Sequence, residues 1–80
     1  MTTADLLDWR NKMGYSQRAA AAALGVTLAT YQRLERGADW TTGVAVHIDR
    51  RTALACAALM AGLAPYGETE IVPTDGPPEN

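Results

Sequence analysis

The chain has 80 residues, one cysteine, one histidine and a formal net charge of −2. A core of this size typically supplies only about 3 to 5 kcal/mol of stability, so we expect one domain that gains further stability by self-association. One cysteine excludes an internal disulfide. The chain has neither a signal-peptide pattern nor an apolar run of roughly 18 residues, which predicts a cytoplasmic protein without membrane contact.

The acidic residues are concentrated at the end of the chain. Residues 68–80 contain four Asp or Glu and no Lys or Arg, so residues 1–67 carry seven basic and five acidic side chains, a net charge of +2. This mildly basic body is compatible with salt-dependent contacts to DNA phosphates. Residues 64–80 combine acidic residues with Pro and Gly and lack periodicity, which predicts a disordered acidic tail.

A first helix is predicted from Thr2 or Thr3 to about Met13. Either threonine hydroxyl can cap the helix, and Asp5 places a negative charge in the first turn, where it complements the helix dipole. Three apolar side chains recur at helical spacing and should face the core: Leu6, Trp9 and Met13.

Residues 16–37 predict two short helices joined by a tight turn. Ser16 can cap the first of them, and Gly25 can adopt the left-handed conformation that ends it. Thr27 can cap the second helix, which Gly37 ends. Two capped helices in this order can place the second one in a DNA groove.

The second of these helices has an inward and an outward face. Tyr31 and Leu34 are three residues apart and share a face with Val26, so we expect that face to be buried. A leucine at the exposed start of a short helix suits contact with a thymine methyl group, although the outward face could also be ordinary solvated surface. That face comprises four residues: Leu28, Ala29, Gln32 and Arg33.

Residues 38–48 differ in pattern from the helices before them. Val44, Val46 and Ile48 alternate with smaller or polar residues, which predicts a short extended segment, either a strand or a linker. His47 lies on the face opposite the three apolar residues and is expected to be exposed. The chain has no second histidine with which to build a metal site.

Asp49 can cap a last helix over residues 50–63. Residues 53–61 contain no polar side chain. Such a helix needs cover on every side and the rest of the chain can cover only one, so we predict that a second copy covers the remaining sides. Cys56 is interpreted as a small buried hydrophobic residue, with a redox switch as the alternative. The predicted dimer interface comprises Ala53, Leu54, Cys56, Ala57, Leu59, Met60 and Leu63.

Residues 6–37 resemble the helix-turn-helix family of phage repressors and Cro-type regulators. Many family members have leucine where this chain has Ala20, so we expect Tyr31 or Trp9 to fill the core there. The resemblance implies an all-α, lambda-repressor-like domain over residues 1–63, with residues 50–63 as its dimerisation helix. The shared motifs are Trp9 with Arg10, Gly14–Gln17, Ala19–Leu24, Leu24–Val26 and Glu35–Gly37.

The resemblance also implies roles for individual residues. Arg33 can donate two hydrogen bonds to guanine, which gives about 1 to 3 kcal/mol of discrimination. Arg10 and Glu35 match a structural ion pair, and removing one partner should destabilise the fold by leaving the other uncompensated. Base readout is expected from Leu28, Ala29, Gln32 and Arg33. Phosphate contacts are expected from Gln17, Arg18, Thr27, Thr30, Arg36, Arg50 and Arg51.

These features predict a transcriptional repressor that binds, as a homodimer, an inverted-repeat operator with half-sites about 34 Å apart on double-stranded DNA. The compact layout further resembles the short anti-CRISPR-associated repressors of phages and mobile elements. The alternative is an antitoxin, or a restriction-system controller protein, with a protein partner. We expect no enzyme activity, metal, cofactor or small-molecule ligand, because one Cys, one His and scattered hydroxyls assemble no catalytic set.

Overall fold

The computed structural model describes residues 1–39 and 41–67 and is all-α. Within that part of the chain, an isolated antiparallel bridge between Ala38 and Ala45 is the only β-type pairing. The predicted tail, residues 64–80, falls outside the described residues from position 68 onward. The four described helices are α1 (Thr3–Met13), α2 (Gln17–Leu24), α3 (Leu28–Arg36) and α4 (Arg50–Met60).

Every helix begins at a side-chain cap that the sequence predicts. Thr2 caps α1 in a reciprocal capping box, because its hydroxyl accepts from the Asp5 N–H while the Asp5 carboxylate accepts from the Thr2 N–H at 2.9 Å. Ser16, Thr27 and Asp49 each accept from the backbone N–H three residues on. These short-range bonds satisfy N–H groups that lack a partner within the helix, and they fix where each helix starts.

Glycines in the left-handed conformation end α2 and α3. Gly25 has φ = 75° and turns the chain between the two helices, as expected from the sequence. Gly37 has φ = 81°, and a Cβ atom at this position would lie 3.2 Å from Thr3 Cγ2. Glycine at residue 37 therefore permits both the turn after α3 and the close approach of this turn to α1.

The core lies between the four helices, because α3 and α4 each pack against both α1 and the alanine-rich helix α2. Tyr31 and Ala20 are both fully buried, and Trp9 packs edge-on against Tyr15 with ring centroids 5.7 Å apart. Trp9 and Tyr31 both contribute large buried side chains to the core that contains Ala20. The buried core residues are Leu6, Trp9, Ala20, Ala21, Tyr31, Leu34 and Cys56.

The segment between α3 and α4 is a linker rather than a strand of a sheet. Val46 and Ile48 pack against the core, whereas Val44 is 62% exposed, so the apolar alternation extends over only two of the three predicted residues. The Val46 N–H donates to the Gly37 carbonyl, which fixes the linker to the end of α3. His47 is exposed, as predicted.

Helix α4 ends at Met60, three residues before the predicted boundary at residue 63. The Gly62 N–H donates to the Leu59 carbonyl and the Leu63 N–H donates to the Ala58 carbonyl. These bonds satisfy carbonyl groups in the last turn of the helix. Gly62 has φ = 76°, a conformation that reverses the chain after the helix. Among the described residues, no helix has the length and apolar character needed to span a membrane.

Candidate nucleic-acid interface

Helix α3 has one face in the core and one at the surface. Tyr31 and Leu34 are buried, and Val26 packs against the same core from the turn that precedes the helix. Ala29 is exposed on the opposite face. The other three residues of the predicted base-reading face are partly exposed: Leu28, Gln32 and Arg33. The geometry is that of a helix-turn-helix whose second helix presents a polar and aliphatic surface.

Glu35 joins three helices through its carboxylate. Arg10 Nε of α1 donates to Glu35 Oε2 at 2.6 Å, and the Tyr31 hydroxyl donates to the same oxygen at 2.7 Å. Gln17 Nε2 of α2 donates to Glu35 Oε1 at 2.8 Å. Arg10 also donates to the Tyr15 carbonyl, at the junction between α1 and α2. The carboxylate therefore holds the recognition helix against both preceding helices.

The electrostatics of this cluster keep Glu35 ionised. Burial alone would raise the pKa of Glu35, but hydrogen bonds from Tyr31, Gln17 and Arg10 outweigh it and hold the pKa below its usual range. Burial and the Glu35 carboxylate both raise the pKa of the Tyr31 hydroxyl, so it stays a donor. The hydrogen bond to Glu35 raises the pKa of Arg10.

The two glutamines assigned to DNA contacts bond to each other. Gln32 Nε2 donates to Gln17 Oε1 at 3.2 Å, while the amide nitrogen of Gln17 is directed to Glu35. The backbone N–H of Gln17, in the first turn of α2, has no partner within the helix and suits a phosphate oxygen. The Gln32 carbonyl oxygen takes no part in these two hydrogen bonds.

The threonines at the start of α3 form a short chain of hydrogen bonds. Thr27 Oγ1 accepts from the Thr30 N–H and donates to Thr30 Oγ1 at 3.0 Å. Arg33 Nη2 donates to the same Thr30 hydroxyl at 3.3 Å. Thr30, one of the predicted phosphate contacts, therefore also bonds to Arg33, the residue predicted to bind guanine. Arg36 Nε donates to the Ala38 carbonyl just after the helix.

The remaining predicted phosphate contacts lie on other helices. Arg18 and Arg50 are exposed in the first turns of α2 and α4. Arg51 pairs with the α4 cap, Asp49, at 3.1 Å, and its side chain is 93% exposed. Arg51 and Asp49 border a groove formed with Leu24 and Val26 at the turn between α2 and α3. The start of α4 therefore lies beside the helix-turn-helix.

The residues predicted for a dimer interface divide between two faces of α4. Cys56 is only 3% exposed and lies in the chain's own core, so it is not on the surface that a second copy would meet. Leu59 also packs against the core, and Ala53 is partly exposed. The prediction allowed the rest of the chain to cover one side of the helix but assigned Cys56 to the dimer interface, whereas the side that packs against α1 and α2 is the one that contains Cys56. The exposed members are Leu54, Ala57, Met60 and Leu63.

Asp39 also lies at the α3 surface, a position that no sequence pattern predicted. Its carboxylate Oδ1 accepts from the Thr41 and Thr42 N–H groups at 2.8 and 3.1 Å. These bonds hold the pKa of Asp39 below its usual range, with a smaller contribution from the nearby charge of Arg33. A second surface groove, about 190 Å³ in volume, lies beside α3. It is lined by Ala29, Gln32, Arg33, Arg36, Asp39 and Thr41.

Comparison with known proteins agrees with this geometry. Residues 6–44, just under half of the chain, match a family model described as "Helix-turn-helix". No curated protein and no solved structure gave a significant match. The family match and the all-α, lambda-repressor-like fold together support a DNA-binding transcription regulator.

Proposed function

We propose that the chain is a cytoplasmic transcriptional repressor that binds an inverted-repeat operator as a homodimer. One observation carries the proposal: α3 is anchored on one side by buried Tyr31 and Leu34 and presents Ala29, Gln32 and Arg33 on the other. A helix held in this way can enter the major groove without losing its contacts to the rest of the domain. Occupying a promoter then prevents transcription.

Base readout in this proposal depends mainly on Arg33. The guanidinium has five N–H donors, and the Thr30 hydroxyl accepts from one nitrogen, which leaves an edge for guanine O6 and N7. The exposed methyl of Ala29 and the partly exposed Leu28 suit contact with thymine methyl groups. Gln32 contributes an amide carbonyl from the Gln17–Gln32 pair.

Phosphate contacts in the proposal come from both ends of the helix-turn-helix. The first turns of α2 and α3 offer backbone N–H groups to phosphate oxygens, and Arg18 adds a positive charge beside the first of them. The side chains assigned to phosphates are Gln17, Arg18, Thr27, Thr30, Arg36, Arg50 and Arg51. A net charge of +2 over residues 1–67 gives one copy weak affinity, and two copies on one operator double the available contacts.

Homodimerisation is supported by the exposed apolar residues of α4 and of the turn that follows it. Leu54 is 56% exposed, Met60 is 48% exposed and Leu63 is 61% exposed. Ala57 between them lets a second backbone approach closely. A two-fold axis at this surface gives an inverted repeat with half-sites about 34 Å apart.

The finer biological assignment is a short anti-CRISPR-associated repressor of a phage or mobile element that regulates its own operon. The compact layout, one helix-turn-helix followed by one apolar helix, supports it. A reporter gene placed behind the chain's own upstream region should be silenced when the chain is supplied in trans. Silencing that instead requires a co-expressed toxin or restriction gene would favour an antitoxin or controller protein.

The binding experiment begins with selection of duplexes from a randomised library, followed by fluorescence anisotropy on the selected duplex and on a scrambled one. Arg33→Ala should weaken binding to the selected duplex by about 5- to 150-fold, because a bidentate guanine contact is lost, and should affect the scrambled duplex much less. Arg18→Ala is the matched control, and should weaken both duplexes alike. Selection of no sequence by the wild-type chain would refute sequence-specific binding. Equal losses for Arg33→Ala on both duplexes would remove Arg33 from base readout.

A further inference from the structure

We infer that Asp39 positions the Arg33 guanidinium for guanine and thereby sets the base preference of the recognition helix. The inference rests on the proposed DNA-binding function and deepens it. Two observations support the inference. Asp39 and Arg33 line one groove on the outward side of α3, and hydrogen bonds fix the loop that carries Asp39.

Four hydrogen bonds hold Asp39 in place beside the end of α3. Its N–H donates to the Val44 carbonyl and its own carbonyl accepts from the Gly43 N–H, both at 2.9 Å. Its Oδ1 atom accepts from the N–H groups of Thr41 and Thr42. The Oδ1 atom is therefore committed to the loop, and the second carboxylate oxygen, Oδ2, remains for a positively charged neighbour.

Arg33 is the neighbour that needs such a partner. Its long side chain has many rotamers, and binding guanine through two parallel hydrogen bonds requires one of them. Thr30 fixes one side of the guanidinium through Nη2. Asp39, in the loop after the helix, lines the same groove without forming an ion pair with Arg33, and the Arg33 charge is among the causes that hold the pKa of Asp39 low, so the two side chains interact across the groove.

A carboxylate on this surface is otherwise unfavourable. The groove that contains Asp39 also contains Arg36 and lies on the face proposed to meet DNA, where a negative charge is repelled by phosphates. Asp39 thus reduces affinity for every duplex, whatever its sequence. A contact that lowers general affinity while ordering a base-reading side chain raises the difference between right and wrong sequences, which is what specificity requires.

The loop geometry allows a substitution that changes the charge of Asp39 and keeps the loop structure. Asp39→Asn keeps an oxygen at the Oδ1 position, and asparagine supports the same side-chain turn, so the bonds from Thr41 and Thr42 persist. It removes the negative charge and replaces the Oδ2 acceptor with an NH2 donor. Asp8→Asn is the matched control, because Asp8 is an exposed carboxylate on α1 that pairs with Lys12 and the substitution changes the net charge equally.

The experiment selects duplexes from a randomised library with the wild type, Asp39→Asn, Asp8→Asn, Arg33→Ala and the Asp39→Asn/Arg33→Ala double variant. Anisotropy then gives the affinity of each protein for the wild-type selected duplex and for duplexes with guanine replaced at each position. Asp39→Asn should lower the guanine preference at the Arg33-dependent position by about threefold or more, and should raise affinity for scrambled duplex by about twofold. In the Arg33→Ala background it should leave the base preference unchanged.

Every other outcome of this experiment contradicts a particular claim. If the wild type selects no sequence, the proposed function and this inference both fail. If a sequence is selected but Asp39→Asn retains the full guanine preference, only the inference fails. Equal effects of Asp39→Asn and Asp8→Asn would show that Asp39 acts only through the net charge of the protein, and the inference would fail. A preference that Asp39→Asn changes at a position independent of Arg33 would make Asp39 a direct base reader instead.

Discussion

Replacing Glu35 tests how the recognition helix is held. In Glu35→Gln the amide oxygen can occupy the Oε2 position and accept from Arg10 and Tyr31, or the Oε1 position and accept from Gln17, but the amide nitrogen at the other position is a donor and cannot accept. Arg10 then keeps its charge without a counter-charge. The side chains of Arg10 and Glu35 are 20% and 10% exposed, so solvent replaces little of what is lost.

The expected cost follows from these contacts. Breaking a fully buried pair costs about 3 to 5 kcal/mol, and a hydrogen bond to a charged group contributes about 1.5 to 3 kcal/mol. Because some solvent reaches Arg10 and one or two hydrogen bonds survive, we expect a loss of about 2 to 3 kcal/mol. For a domain of this size that lowers Tm by roughly 8 to 24 °C. Urea and thermal unfolding, followed by circular dichroism at one fixed protein concentration, measure the loss directly.

The pH dependence has a defined sign. The pKa of Glu35 is lower in the folded chain than its usual value, because three hydrogen bonds together outweigh the effect of burial. Its contribution to stability is therefore complete above about pH 4.5, the ordinary value for a glutamate, and is lost as the pH falls through the folded pKa. The stability difference between wild type and Glu35→Gln should accordingly shrink as the pH is lowered through this range.

Asp8→Asn is the control for the loss of an ion pair. The side chains of Asp8 and Lys12 are 62% and 64% exposed, and such a pair within one helix contributes less than about 0.5 kcal/mol. If Glu35→Gln costs no more than Asp8→Asn, the carboxylate cluster does not hold α3, and the reasoning from its geometry is wrong. A stability difference that grows as the pH is lowered would contradict the assigned direction of the pKa shift.

Two further predictions concern α4. Leu54→Asp, at an exposed position, should convert dimers to monomers with little change in Tm, as measured by light scattering and thermal unfolding. Leu7→Asp, on the exposed face of α1, is the control and should leave the dimer intact. A wild type that is already monomeric, or a Leu54→Asp variant that stays dimeric, contradicts the assigned surface. Cys56 should react with Ellman's reagent about 100-fold or more slowly in the folded chain than in urea, because burial raises the pKa of its thiol and exposure requires unfolding. Fast reaction in the folded state would place the thiol at the surface.

Much of the helix geometry is encoded locally. Ser16, Gly25, Thr27 and Gly37 fix the ends of α2 and α3 through bonds within four residues, so sequence reasoning could assign them one by one. The buried face of α3 follows from the spacing of its apolar residues in the same way. The end of α4 was harder to predict, because apolar residues continue beyond the turn that terminates the helix at Met60.

Partnerships across helices were determined only by the packed structure. Gln17 and Gln32 lie fifteen residues apart, and Asp39 reaches the α3 surface through a loop whose path depends on a bridge from Ala38 to Ala45. No local signal predicts such meetings, because they depend on the angles at which helices cross and on the route of the linker. The same holds for α4, where an all-apolar sequence does not say which face other helices cover: Cys56 faces the core and Leu54 faces outward. The sequence thus determined where the helices lie along the chain, through short-range caps and periodicity, and tertiary packing decided which side chains meet.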